Sequence, residues 1–259
     1  MKEFSSDGVR IAYQDYPPHE PARGLPVVLI HGFASNHGVN WVFPQWTRTL
    51  NKAGRRVLAL DNRGHGRSEK LYDPALYTPA LMARDAVNLL DHLGIARADF
   101  IGYSMGARIA ARLAHDFPSR VRGLVLGGLG VHLVDGAGLP IGIADAMEAP
   151  SLDGLTDPMQ RMFRAFAEAT KSDLRALAAC MRGARAAMSA ADVGRIPAPT
   201  LVCVGDEDDV AGDPFALAAM MPHARALNIP GRDHNRAVGD KEFKDGVLAF
   251  FESLDEAGA

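Results

Sequence analysis

The chain has 259 residues and a formal net charge of −3, with 47% apolar and 23% charged residues. That is an ordinary globular composition, long enough to bury a sizeable core in one large α/β domain or two small ones. It carries no basic stripe for nucleic acid, no apolar run of the roughly 18 residues a membrane helix needs, and no apolar signal-peptide core near Met1. A cytoplasmic chain without nucleic-acid or membrane partners is expected.

Residues 9–13 alternate apolar and polar, as a half-exposed early strand does. Pro17, Pro18 and Pro21 then mark a loop. The continuous apolar run 27–30 suits a strand buried on both faces and ends in His31-Gly32-Phe33. A helix over about 41–52 leads to a second buried strand at 57–60. That strand ends in Asp61-Asn62-Arg63-Gly64-His65-Gly66-Arg67-Ser68. Apolar positions over 79–93 recur at helical spacing, with Pro79 in the first turn and Gly94 at the stop. The apolar run 98–101 precedes Gly102-Tyr103-Ser104-Met105-Gly106, and a helical pattern over 107–114 follows it. Residues 121–126 form another strand. The alternation breaks after Gly130, and 131–195 hold no convincing strand. Gly136, Gly138 and Gly142 mark a flexible entry. Asp157-Pro158 opens a helix with Met159, Met162, Phe163 and Phe166 on one face, and Ser172 is placed to cap another helix bearing Met181. Strands resume at 199–205 and 224–229, with helices over 214–221 and 241–254.

Strands alternating with helices of this length imply crossover connections and a mostly parallel sheet. The expected division is an α/β core over 1–130 and 196–259, with 131–195 as a helical cap. Cys180 and Cys203 stand far apart, and neither context reads as secreted, so free thiols are expected rather than a disulfide. No His or Cys cluster has metal-ligand spacing, so neither metal nor cofactor is expected.

Ligands of an open parallel sheet bind at the carboxyl ends of its strands. Ser104 stands there on a sharp strand-to-helix turn, and Gly102 and Gly106 are small enough to permit it. Serine needs a base, and the base needs an orienting carboxylate. Of nine histidines, only His234 lies between the last strand and the last helix. The acid lies in Gly205-Asp206-Glu207-Asp208-Asp209. Asp208 is the leading candidate, with Asp206 and Asp209 as alternatives; Asp233 is disfavoured because neighbours on an extended loop point apart. The amides of Met105 and Phe33 are the expected oxyanion donors. His31 reads as a structural hydrogen-bonding group, and Arg63 and His65 as holding the rim. His37, Trp41, Tyr103, Met159, Phe163 and Phe166 are candidate pocket residues. Simple packing of the helical insert against the core explains its methionines and phenylalanines equally well.

These motifs, and the chain order Ser104, Asp208, His234, resemble the α/β-hydrolase superfamily along essentially the whole chain. The resemblance implies an eight-stranded, mostly parallel sheet with a cap after the sixth strand. Small capped serine esterases and acyl hydrolases look most similar. Serine at the elbow separates the chain from haloalkane dehalogenases and epoxide hydrolases, which place aspartate there. Ala34-Ser35-Asn36-His37 departs from the glycine-proline run of ring-cleavage carbon–carbon hydrolases, although Asn40-Trp41 is similar to them. The implied activity is hydrolysis of a small carboxylic ester by a monomer or homodimer. Alternatives are thioester, lactone, amide or carbon–carbon cleavage on the same residues, or a small-molecule sensor that keeps the fold.

Overall fold

The computed structural model describes residues 1–19, 21–136 and 139–258. Eight strands form one sheet: β1 (Lys2–Ser6), β2 (Val9–Tyr16), β3 (Val27–Ile30), β4 (Val57–Leu60), β5 (Ala98–Tyr103), β6 (Val121–Gly127), β7 (Thr200–Gly205) and β8 (Ala224–Ile229). Their order is β1-β2-β4-β3-β5-β6-β7-β8. β2 pairs antiparallel with β1 and with β4. Every later pairing is parallel.

Through the core elements the helices are α1 (Trp46–Lys52), α2 (Pro79–His92) and α3 (Met105–Asp116). Between β6 and β7 come α4 (His132–Asp135), α5 (Gly142–Glu148), α6 (Pro158–Ala169), α7 (Leu174–Gly183) and α8 (Ala190–Val193). The chain then adds α9 (Pro214–Ala219), α10 (His234–Ala237) and α11 (Lys241–Gly258). None of these helices is long and apolar enough to cross a membrane, among the described residues.

Every residue of β3, β4, β5 and β7 is buried, because helices cover both faces of the sheet. One face packs Leu89 and Leu90 of α2 and Ile109 and Leu113 of α3 against Val28, Phe100 and Leu124. The other packs Trp46 and Leu50 of α1 and Phe243, Val247 and Phe251 of α11 against Leu29, Ile101 and Val125.

Three local details differ from the sequence reading. β1 is not evident from hydropathy, because only Phe4 and Ser6 of its five residues are buried. Its signal is instead Asp7-Gly8, both at positive φ, the chemistry of a tight hairpin turn. The helix expected from residue 41 splits. A five-residue π-helical turn covers Gly38–Val42, and α1 starts at Trp46, two residues after Pro44. α7 is capped by Asp173, whose side chain accepts from the Ala176 amide, while Ser172 bonds the Thr170 hydroxyl.

Among the described residues, 131–136 and 139–199 hold helices and irregular chain but no strand. Gly138 of the expected flexible entry lies outside the described residues. The Arg164 guanidinium ties α6 to the end of α5 by donating to the carbonyls of Ala146 and Ala149. Cys180 and Cys203 are buried free thiols.

Candidate active site

Ser104 sits at φ 55°, ψ −115°, between the end of β5 and the first residue of α3. A non-glycine residue there is strained by roughly 1–3 kcal/mol, so the surroundings must impose it. A Cβ on Gly102 would strike the Gly106 carbonyl, and a Cβ on Gly106 would strike the Ile30 carbonyl. The glycines therefore let α3 lie directly on β5 and β3 while the serine hydroxyl is lifted clear.

His234 Nε2 lies 3.0 Å from Ser104 Oγ, and His234 Nδ1 lies 2.8 Å from Asp208 Oδ2. The other Asp208 oxygen accepts from the amides of Val210 and Ala211 at 2.9 and 3.0 Å. An acid with both oxygens engaged and its side chain fully buried must receive a proton from Nδ1. That leaves Nε2 free to accept from serine. The acid loop and the histidine loop meet closely, because Gly205 packs against the Arg232 carbonyl. The Tyr103 hydroxyl donates to the His234 carbonyl at 2.6 Å and fixes the loop from below.

The alternative acids are occupied elsewhere or face solvent. Asp206 accepts from the Gly231 amide, Asp209 is exposed, and Asp233 caps α10 through the amides of Asn235 and Arg236.

The amides of Phe33 and Met105 have no acceptor among the described residues. Gly32 places the first of them: its Cα approaches β5 so closely that a Cβ would sit 3.3 Å from the Tyr103 carbonyl oxygen. Asn40 holds this loop by accepting from the Gly32 amide at 3.0 Å. His31 is structural: Nδ1 donates to the Gly32 carbonyl and Nε2 accepts from the Asn62 amide. Arg63 makes a two-pronged bond to buried Asp85, and His65 Nδ1 donates to the Arg63 carbonyl.

Burial pushes the His31 imidazole down to about 4 and His65 down to about 3, so both are neutral at pH 7. Burial alone would raise Asp61, but the His37 hydrogen bond and the nearby imidazoles outweigh it and hold the carboxyl at about 2. An unfolded chain protonates its histidines near pH 6.5. Between about pH 6.5 and 4 the unfolded state therefore binds more protons, and stability falls as pH falls. Asp61 adds nothing in that window, since its contribution is lost only below the ordinary carboxylate range. The urea midpoint is expected to drop between pH 7 and 4.5 by the equivalent of roughly 2 kcal/mol or more. His65→Asn should flatten part of that slope, and an unchanged slope would contradict it.

Two cavities meet at Ser104 and Phe33. The smaller, about 80 Å³, runs along α3 and is lined by Met105, Arg108, Leu129, Cys180, Met181 and Arg185. The larger, about 500 Å³, is mainly apolar and opens past Val39, Phe43, Met162, Phe163, Phe166 and His234. Of the residues named from the sequence, Tyr103, Phe163 and Phe166 line the larger one, and Phe163 lies 6.0 Å from the Phe33 ring.

Three expected pocket residues line neither cavity. His37 is turned away because both its amide and its Nδ1 bond Asp61. Trp41 is fully buried edge-on against Trp46, since the π-helical turn points it into the core. Met159 packs half-buried on the core. Arg108 and Arg185 escaped the sequence reading, and Asn40 and Cys180 were noted there without a place in the site. Arg108 had a local signal, four residues after Ser104 on the same helix. Among the described residues no group of three or more His, Cys, Asp or Glu side chains is arranged to hold a metal.

A family model described as the alpha/beta hydrolase fold matches residues 26–135. A 2-hydroxymuconate semialdehyde hydrolase from Pseudomonas sp. (strain CF600) is 38% identical over 137 residues, 51% of this chain and 43% of the relative. Epoxide hydrolase B of Mycobacterium tuberculosis is 37% identical over 122 residues, 46% of this chain and 32% of the relative. The match thus spans less than half the length of either curated relative. Among solved structures, a hydrolase from Pseudomonas aeruginosa PA01 superposes with a TM-score of 0.78 at 26% identity, covering 96% of this chain and 97% of that one. An N-acyl homoserine lactone degrading enzyme does so with a TM-score of 0.73 at 26% identity, covering 96% and 100%. The sheet order, the strained serine between strand and helix, and these likenesses agree: the chain has the α/β-hydrolase fold.

Proposed function

We propose that the chain is a serine hydrolase that cleaves a carboxylic ester of a small molecule through an acyl-enzyme. The observation that carries this reading is the unbroken hydrogen-bond path from Ser104 through His234 to Asp208. In this reading Ser104 Oγ attacks the ester carbonyl as His234 Nε2 takes its proton. Asp208 stays ionised and stabilises the imidazolium. The Phe33 and Met105 amides, which have no acceptor among the described residues, receive the oxyanion. His234 then protonates the departing alkoxide, and on the return step it activates the water that releases the acid.

The two cavities divide the substrate. His234 lines the larger cavity and not the smaller, so the leaving alcohol belongs in the larger, where the proton is delivered. The acyl group belongs in the smaller, beside Met105. The helices between β6 and β7 act as a cap, supplying Met162, Phe163 and Phe166 to the alcohol side and Cys180 and Met181 to the acyl side. Hydrolysis of a cyclic ester by the same residues is the second reading, favoured by the likeness to the lactone-degrading enzyme across both full chains.

A fluorophosphonate probe tests the mechanism. It phosphonylates a serine only when a base activates it, so the modified peptide should carry Ser104. Absence of labelling, or labelling that survives Ser104→Ala, would refute the assignment.

A further inference from the structure

The acyl-side cavity is apolar along most of its wall, yet two arginines, Arg108 and Arg185, line it. Arg108 follows Ser104 by one turn of α3, so it lies on the same face of the helix and about 6 Å further along its axis. It is half-buried. Its Nη2 donates to the His132 carbonyl at 3.1 Å and its Nη1 to the Leu133 carbonyl at only 3.4 Å. Arg185, just beyond α7, donates one Nη to the Leu139 carbonyl at 2.7 Å and touches Met181 Sδ. Neither guanidinium has a carboxylate within ion-pair distance among the described residues. Arg185 is exposed, but Arg108 is half-buried, and other buried or half-buried arginines do hold a carboxylate: Arg55, Arg63, Arg122 and Arg164 each have one.

An arginine offers five donors, so each of these keeps several unspent. Taking a guanidinium out of water beside a second one is unfavourable unless an anion joins them. Burial and then the Arg185 charge both work against the charged form of Arg108, while Asp135 on α4 partly offsets them. Among the described residues the remaining wall, with Leu129, Cys180, Met181 and Val210, adds no further charged side chain.

We infer that the acyl group of the substrate ends in a carboxylate held by Arg108 and Arg185, so that the preferred substrate is the half-ester of a short dicarboxylic acid. The inference rests on the ester-hydrolase reading above. A cavity of about 80 Å³ admits only a short spacer, and the 6 Å offset along α3 sets the carboxylate a few bonds from the scissile carbonyl. Two planar forks converging on one carboxylate supply charge-assisted bonds that a neutral chain end cannot make.

Monobenzyl glutarate and benzyl valerate form a matched pair, differing in a terminal carboxylate against a methyl group. With the full chain, kcat/KM from benzyl alcohol release should favour the half-ester by about tenfold or more at low salt, with the preference shrinking in 0.5 M salt. Arg185→Gln, at an exposed position, should lower that ratio several-fold through KM for the half-ester. Arg108→Gln should bring it near one, and Arg108→Lys should restore part of it. A purely structural role for either arginine would slow both esters equally and leave the ratio intact, which would overturn the inference. So would an equal or reversed preference in the unmodified chain. Ser104-dependent cleavage of both esters without preference removes this inference alone. Failure of both esters together with failure of fluorophosphonate labelling removes the ester-hydrolase reading as well.

Discussion

Ser104→Ala is expected to lower kcat for ester turnover by on the order of 10⁵–10⁶-fold, and Asp208→Asn by about 10⁴-fold, with little change in either melting temperature. The serine loss removes the attacking atom, leaving only the oxyanion amides and binding. The aspartate loss acts through a tautomer. Asp208 Oδ1 accepts from two backbone amides, so an asparagine keeps its carbonyl oxygen there and turns its NH₂ towards His234. Nδ1 must then accept, the proton moves to Nε2, and the nitrogen facing Ser104 can no longer take the serine proton. Steady-state kinetics on a p-nitrophenyl ester check both. Combining Ser104→Ala with His234→Ala should cost little more than Ser104→Ala alone, because the residues act as one unit. An Asp208→Asn variant that keeps more than about a tenth of the activity would move the orienting acid elsewhere.

Gly106→Ala should be among the most damaging single methyls at the site. The added Cβ would overlap the Ile30 carbonyl, and this obstacle is backbone, so no side-chain rotation relieves it. α3 must lift away from β3, opening the core beneath Ile109 and Leu113. A cost of about 3 kcal/mol or more is expected, a fall of roughly 6–12 °C in melting temperature for a chain of this size. Activity should fall further than stability alone explains, since the Met105 amide moves with the helix while the Phe33 amide stays with β3. Gly154→Ala is the control. It has no atom within 4 Å of an added Cβ and no positive φ, so its change should stay within about 0.5 kcal/mol. Equal melting temperatures for the two variants would show that the elbow tolerates a wider gap than its packing implies.

The sequence by itself determined the features that depend on neighbours along the chain. Apolar runs such as 27–30 and 98–101 read as buried strands because helices must cover both sides of a parallel sheet. Gly102 and Gly106 read as an elbow because the strained residue between them needs small flanks. Chain order pointed to His234, since a strand-end loop before the last helix is where a base can reach a serine at the sheet's carboxyl edge. Lys2–Ser6 escaped because an edge strand buries only alternate side chains, and its evidence lay in the Asp7-Gly8 turn.

Tertiary structure alone decided what depends on residues far apart in sequence. It chose Asp208 to face His234 because Gly231 engages Asp206 and the amides of Val210 and Ala211 clamp the Asp208 carboxylate. It withdrew His37 and Trp41 from the cavities by giving them partners in Asp61 and Trp46. It also brought Arg185, from the helices after β6, alongside Arg108 on α3. No periodicity announces such a meeting, because side-chain spacing encodes which face is buried and not which distant group lies opposite. The strained serine turn was therefore legible in five consecutive residues, whereas the two cavities that meet beside it exist only once the helical segment has folded over the sheet.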